Sequence, residues 1–186
     1  MFDDNRSRKV VLVAHCILNQ NSISDGTADY PSQFSAVVDQ LMQERIGLLQ
    51  LPCPELACLG LDRQDIEGGK RPLLEENTRI RALMNRKGNR GLLRKRAKEV
   101  VSQVKEYKHH GIEVVGLIGV NRSPSCGVET TTSQNAESQG CGVFIELIRE
   151  TLRNDGLGMK MIGAKTSQTE ESVERVKELI KRTLEA

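Results

Sequence analysis

Cysteine is the residue type in this sequence with the clearest chemical potential. Five are present: Cys16, Cys53, Cys58, Cys126 and Cys141. Three of them lie in turn-forming surroundings. Cys16 runs into ILNQNSISDG, Cys53 lies between prolines in PCPE, and Cys126 lies in SPSCG, where Gly127 admits a close backbone approach. The number is odd, and the polar start MFDDNRSRKVV lacks the apolar stretch of a secretory signal. Both features argue against a disulfide framework and for a cytoplasmic chain with reduced thiols. Such thiols serve as small core residues, metal ligands or nucleophiles. Cys-Pro and Cys-Gly surroundings suit iron–sulfur sites, where backbone N–H groups point at sulfur. Zinc sites favour a closer pair such as C-x-x-C, and Cys53 and Cys58, with four residues between them, make a looser one. A dithiol redox pair is the remaining chemistry, and it needs two sulfurs within bridging distance.

These thiols need elements to position them. KVVLVA, residues 9–14, reads as a strand buried on both faces. SQFSAVVDQLMQERI, residues 32–46, has helical spacing, with Ser32 as its N-cap. GLLQL, residues 47–51, is a second strand. A long crossover follows, with a Gly-rich loop, a helix over 73–86, a break at KGNRG, and a long helix over 92–110 that stops at Gly111. IEVVGLIGV, residues 112–120, is the clearest strand, and the polar stretch 121–140 reads as a loop. A helix over 142–154, a strand over 159–164 and a closing helix over 167–184, capped by Thr169, complete the chain. This alternation predicts one α/β domain over 1–186. Its fold is doubly wound (Rossmann/flavodoxin-like), a four-stranded parallel sheet with helices on both faces and strand order 2-1-3-4. The inserted region at about 64–95 is expected to act as a lid.

On this map Cys16 falls two residues beyond the first strand, Cys53 two beyond the second and Cys126 six beyond the third. All three reach the carboxyl edge of the sheet, where ligands bind in such folds. Neighbouring strands are ~4.8 Å apart, so the thiols can approach one centre. Three thiolates on a 4Fe-4S cluster would leave one iron open as a Lewis acid for a substrate atom, whereas four would favour electron transfer.

Composition narrows the partners. With 27 basic and 25 acidic residues the net charge is +2, which indicates neither a nucleic-acid nor a membrane partner. No apolar run approaches the ~18 residues of a spanning helix. The basic run RKGNRGLLRKRAK, residues 86–98, has no interleaved aromatics for base stacking and reads as a solvated helix face. Without Trp, and with two Tyr and three Phe, the core must be aliphatic.

Taken together, VAHCILNQNSISDG, LPCPELACLGLDR, NRSPSCGV and GCGVFIELI resemble the thiouracil desulfidase family in order and approximate spacing, along nearly the whole chain. The resemblance implies a 4Fe-4S cluster on Cys16, Cys53 and Cys126. Its open iron would take sulfur from the thiocarbonyl of a small thiolated compound such as a thiouracil-like base. Ala-His-Cys-Ile-Leu-Asn around the first cysteine, and the extra Cys58 and Cys141, mark a divergent branch.

Around that centre, Glu55 is a candidate catalytic residue that would protonate a ring nitrogen or activate water, or else pair with Arg63. Asp25 is a second candidate, or else an Asp-Gly turn. Ser123 and Ser125 would orient substrate or shape the loop, and Arg63 would bind an anion or hold its loop. His15 is expected to point away from Cys16 along an extended segment. His109 and His110 finish a helix, and Cys58 and Cys141 are spare thiols, with Cys141 a fourth-ligand or sulfur-acceptor candidate.

Overall fold

The computed structural model describes residues 3–184. In chain order its elements are β1 (Lys9–Val13), α1 (His15–Leu18), α2 (Ser35–Gln43), β2 (Gly47–Gln50), α3 (Pro54–Leu59), α4 (Leu73–Met84), α5 (Lys87–His109), β3 (Glu113–Val120), β4 (Thr130–Ser133), β5 (Ala136–Gln139), α6 (Val143–Asn154), β6 (Met161–Ala164) and α7 (Thr169–Leu184). The central sheet is parallel, in the order β2-β1-β3-β6, the doubly wound order expected.

Alternation along the strands sorts the apolar side chains onto two faces. Leu12 and Leu117 pack on one side with Val100, Val104, Phe144 and Ile148 of α5 and α6. Val11, Val13 and Ile118 pack on the other with Val37 and Leu41 of α2 and Val176 of α7. The register pairs Val13 with both Gln50 and Ile118, and Ile118 with Ile162, which brings the carboxyl ends of the strands to one edge. Backbone bonds carry the ladder one residue further, from Ala14 N–H to Ile118 O and from Leu51 N–H to Val13 O, both at 2.8 Å.

Several local expectations are corrected. Ser32 does not cap α2: it lies at φ +56°, and the helix starts at Ser35. KGNRG does not interrupt the helical region. It forms the first turns of α5, and the only break is at Asn85 and Arg86. Two glycines there cost about 1 kcal/mol each in propensity, which burial of Leu93, Ala97, Val100, Val101 and Val104 outweighs. The stretch 121–140 is not all loop, because it contains the antiparallel hairpin β4–β5. Gln134 and Asn135 turn it at φ +52° and +58°, the doubly left-handed pattern of a type I′ turn. The segment after Cys53 is helical at once. Pro54 occupies the first position of α3, and the Cys53 sulfur accepts the Leu56 N–H at 3.4 Å. Among the described residues, no helix is long and apolar enough to cross a membrane.

Candidate functional site

Cys16, Cys53 and Cys126 arrive from three different strand ends. Cys16 lies in the single turn of α1 directly after β1, not in an extended segment. Cys53 is the N-cap of α3, and Cys126 lies in the loop after β3. All three line one cavity of about 100 Å³ at the carboxyl edge of the sheet. Cys126 is buried, the other two half-buried, and none is in a disulfide. Gly127 earns its place here, since a Cβ on it would meet Thr130 O at 2.1 Å.

Burial, then the neighbouring Cys53 and Glu55, pushes the Cys16 thiol up to about 12. Cys53 is raised by burial and Glu55, and Cys126 well above the ordinary value by burial and by Cys16 and Cys53. Three thiolates here would repel one another, so the site keeps its protons unless a cationic centre offsets the charge. Among the described residues, no group of His, Cys, Asp or Glu closes around one point as a single metal ion requires. The three thiols are among the residues that line the cavity, and thiolate is the ligand that iron–sulfur centres take.

Glu55 is buried beside them. One carboxylate oxygen accepts from Ser24 Oγ at 3.1 Å and Arg63 Nε at 2.9 Å, and the other from Ser125 Oγ at 2.6 Å. Arg63 is equally buried, at φ +53°. Its remaining N–H groups reach the carbonyls of Gly60, Leu61 and Ser22 at 3.1, 2.8 and 2.5 Å. Every polar atom of this ion pair is thus partnered, which is the condition for keeping one in a protein interior. Ser125 Oγ also lies 3.7 Å from Cys126 Sγ.

The other expected residues have definite positions. Ser123 lines the cavity, but its Oγ accepts the N–H groups of Cys126 and Ser125, at 3.0 and 3.3 Å, and so shapes the loop. Asp25 lies outside the cavity. Its exposed side chain accepts the Gly26 N–H at 2.9 Å, the Asp-Gly turn reading, while its neighbour Ser24 turns inward to Glu55. His15 sits in a helical turn, so it does line the cavity, and its Nδ1 is 3.2 Å from Leu51 O. Cys58 and Cys141 pack against the apolar cluster under α5 and α6, away from the cavity lining. Burial pushes the Cys58 thiol up to about 11.

Three functional positions were not anticipated: Ser24, Asn77 and Asn121. Asn121 Oδ1 accepts three backbone N–H groups, from Val128, Glu129 and Thr130, at 3.2, 3.1 and 3.3 Å. This single amide oxygen folds the loop that carries Cys126. The one sequence signal for it is its place, the first polar residue after the apolar run of β3.

Residues 11–154 match the 2-thiouracil desulfurase family. The chain is also similar to an uncharacterized protein of Methanocaldococcus jannaschii, 32% identical over 123 residues, which cover 66% of this chain and 70% of that protein. No solved structure matches it. The match over 11–154 embraces all three cavity cysteines together with Glu55 and Ser125, and the chain belongs to the 2-thiouracil desulfurase family.

Proposed function

We propose that this protein is a desulfurase that exchanges the sulfur of a small thiocarbonyl compound, such as a thiouracil-like base, for oxygen from water. The overall change is C=S plus water to C=O plus hydrogen sulfide. The observation that carries the reading is the convergence of Cys16, Cys53 and Cys126 on one cavity beside the buried Glu55–Arg63 pair. The three thiols fit a 4Fe-4S cluster as its ligands; when bound, such a cluster supplies a Lewis-acidic iron with affinity for sulfur.

The chain's own residues do the rest. Arg63 and Ser24 hold one oxygen of Glu55, so the other faces Ser125 alone. Ser125 donates its hydroxyl hydrogen to that oxygen, accepts from Ser123 Oγ at 3.3 Å, and keeps one lone pair for a donor in the cavity. A water donating to Ser125 Oγ would therefore lose its proton through the hydroxyl to Glu55 as its oxygen attacks the thiocarbonyl carbon. Glu55 then returns that proton to the departing sulfur, and the remaining hydroxyl proton of the adduct follows the same route through Ser125 and Glu55 as C=O forms, so that sulfur leaves as hydrogen sulfide. Ser123 and Asn121 are positioning residues that fix the loop of Cys126 and Ser125.

Anaerobic reconstitution with iron and sulfide is expected to give about four irons per chain and broad absorbance near roughly 400 nm. Incubation with 2-thiouracil should release uracil and sulfide. Replacing Cys16, Cys53 or Cys126 singly with Ser should abolish iron retention, and Glu55→Gln should keep the iron and lose turnover at least about 100-fold. Stoichiometric zinc without sulfide release, or full activity in any of the three cysteine variants, would overturn the reading.

A further inference from the structure

Asn77 lines the same cavity and has no place in the chemistry above. It comes from α4, within the inserted region 64–95, and is only 4% exposed. Its Nδ2 donates to Thr132 Oγ1 at 3.4 Å. The Thr132 hydroxyl spends its single hydrogen on Arg122 O, at 2.7 Å. Toward Asn77 it can therefore only accept, which fixes which end of the carboxamide faces it. That leaves Oδ1 and one N–H of Asn77 without a protein partner among the described residues, on a side chain that lines the cavity. An amide end that opens on the cavity is available to a bound molecule as both acceptor and donor.

The amide is also held rigidly with respect to the cysteine loop. Arg81, one helical turn along the same face of α4, donates from Nη1 to Pro124 O, Thr131 Oγ1 and Cys141 O, at 3.2, 3.0 and 3.2 Å. The helix is thereby tied to the backbone on both sides of Cys126. A fixed acceptor and donor, side by side, match an N–H flanked by a carbonyl, in the way carboxamides pair with base edges.

We propose that Asn77 is the specificity residue. Its Oδ1 receives the ring N–H of a cyclic thioimide, and its free N–H donates to the adjacent exocyclic oxygen. This rests on the desulfurase reading, and names the substrate class of that site as thiocarbonyl rings that keep an N–H between two carbonyl-type carbons.

Methylated probes test it on the full, reconstituted chain. In 3-methyl-2-thiouracil the N–H between the two carbonyl-type carbons is blocked; in 1-methyl-2-thiouracil it is kept. The expected result is a kcat/KM at least about tenfold lower for the 3-methyl than for the 1-methyl compound, carried mainly by KM. Asn77→Ala should shrink that ratio to below about threefold, and Thr132→Val, which frees the amide to turn, should shrink it partly. Calorimetric titration with 1-methyluracil and 3-methyluracil reads the same preference without turnover. A ratio near one in the unaltered protein overturns the inference, as does a large ratio that survives Asn77→Ala. Sulfide release without discrimination sinks Asn77 alone; discrimination between the uracils without sulfide release sinks the desulfurase reading alone.

Discussion

Two loops meet at Glu55, and they are held by different kinds of force. The loop over 121–130 is fastened mainly by neutral hydrogen bonds: Asn121 Oδ1 to three backbone N–H groups, Ser123 Oγ to two more, and Thr132 Oγ1 to Arg122 O, with the Glu129–Arg175 ion pair at its far end. The loop over 60–72 is fastened by charge. Arg63 pairs with Glu55, Arg71 pairs with Asp65 and Glu76, and Arg79 pairs with Glu76 while donating to Arg63 O at 2.9 Å. Both contain left-handed residues, Arg122 at φ +69° in one and Arg63 and Gln64 at +53° and +61° in the other. Neither backbone would hold such conformations without its clasp. The neutral clasp carries the residues next to Cys126, where a stray charge would add to an already electronegative sulfur site. The ionic clasp carries the segment that closes over Glu55, where a charge has a partner. The first loop should thus be less sensitive to salt and acid than the second.

The largest effect should come from the buried end of the ionic clasp. Arg63→Met keeps the volume but leaves Glu55 buried without its cation, at a cost of about 3–5 kcal/mol. Denaturant unfolding of the variant should show that loss, and the double variant Arg63→Met, Glu55→Met should recover most of it. If the single variant loses less than ~1 kcal/mol, the pair is not holding the loop. Asn121→Leu should rank next, at about 3 kcal/mol, because three backbone N–H groups lose their acceptor and part of the loop can rehydrate. Its loss should change less with salt than that of Arg63→Met, whereas equal salt dependence in the two variants would erase the distinction between the clasps.

The two loops also differ in how far they could be read from the sequence. The apolar runs of β1 and β3 are continuous because both sheet faces are covered, so the strand order and the shared edge of Cys16, Cys53 and Cys126 followed from pattern alone. NRSPSCG marks a built loop, but its two main devices, Asn121 and the hairpin behind it, are invisible to periodicity. β4 and β5 are four residues each, polar, and defined by a pairing rather than by an apolar face. In the 60–72 loop the sequence offers Arg63 as a partner of Glu55, a binder of an anion or a holder of its own loop, without choosing among them. Nothing local reveals that Arg63 is buried, because its partner Glu55 and its acceptor Ser22 O come from other segments. The exchange of Asp25 for Ser24 is likewise non-local: Asp25 packs against Gly69, where a Cβ would strike its carboxylate at 2.0 Å, while Ser24 meets Glu55. KGNRG misled for a simpler reason, since helix propensity there is overruled by the apolar face of α5 further along.

Acid gives the finest separation of the two clasps. The Arg79 guanidinium, more than Arg71, holds the Glu76 carboxyl below its ordinary value of 4.5, and Arg71 with the Glu67 N–H lowers Asp65. A carboxyl whose value is depressed by folding stabilises the fold fully above its ordinary value, and loses that contribution as pH falls through the lower, folded value. As pH falls through that lower value Glu76 takes up a proton and releases Arg71 and Arg79, and with Arg79 the tether on Arg63 O. In the 121–130 loop the side chains nearest Cys126, those of Asn121, Ser123 and Thr132, do not titrate in this range, and its ion pair, Glu129 with Arg175, lies at the far end of the loop. Pepsin digestion at stepwise lower pH should cut within 60–72 before it cuts within 121–130. Glu76→Gln should move the onset toward neutral pH and lower the melting temperature at pH 7 by about 3 °C. Simultaneous cleavage of both loops at every pH would mean that the clasps open as one unit, and that the ionic loop is anchored by Arg63 alone.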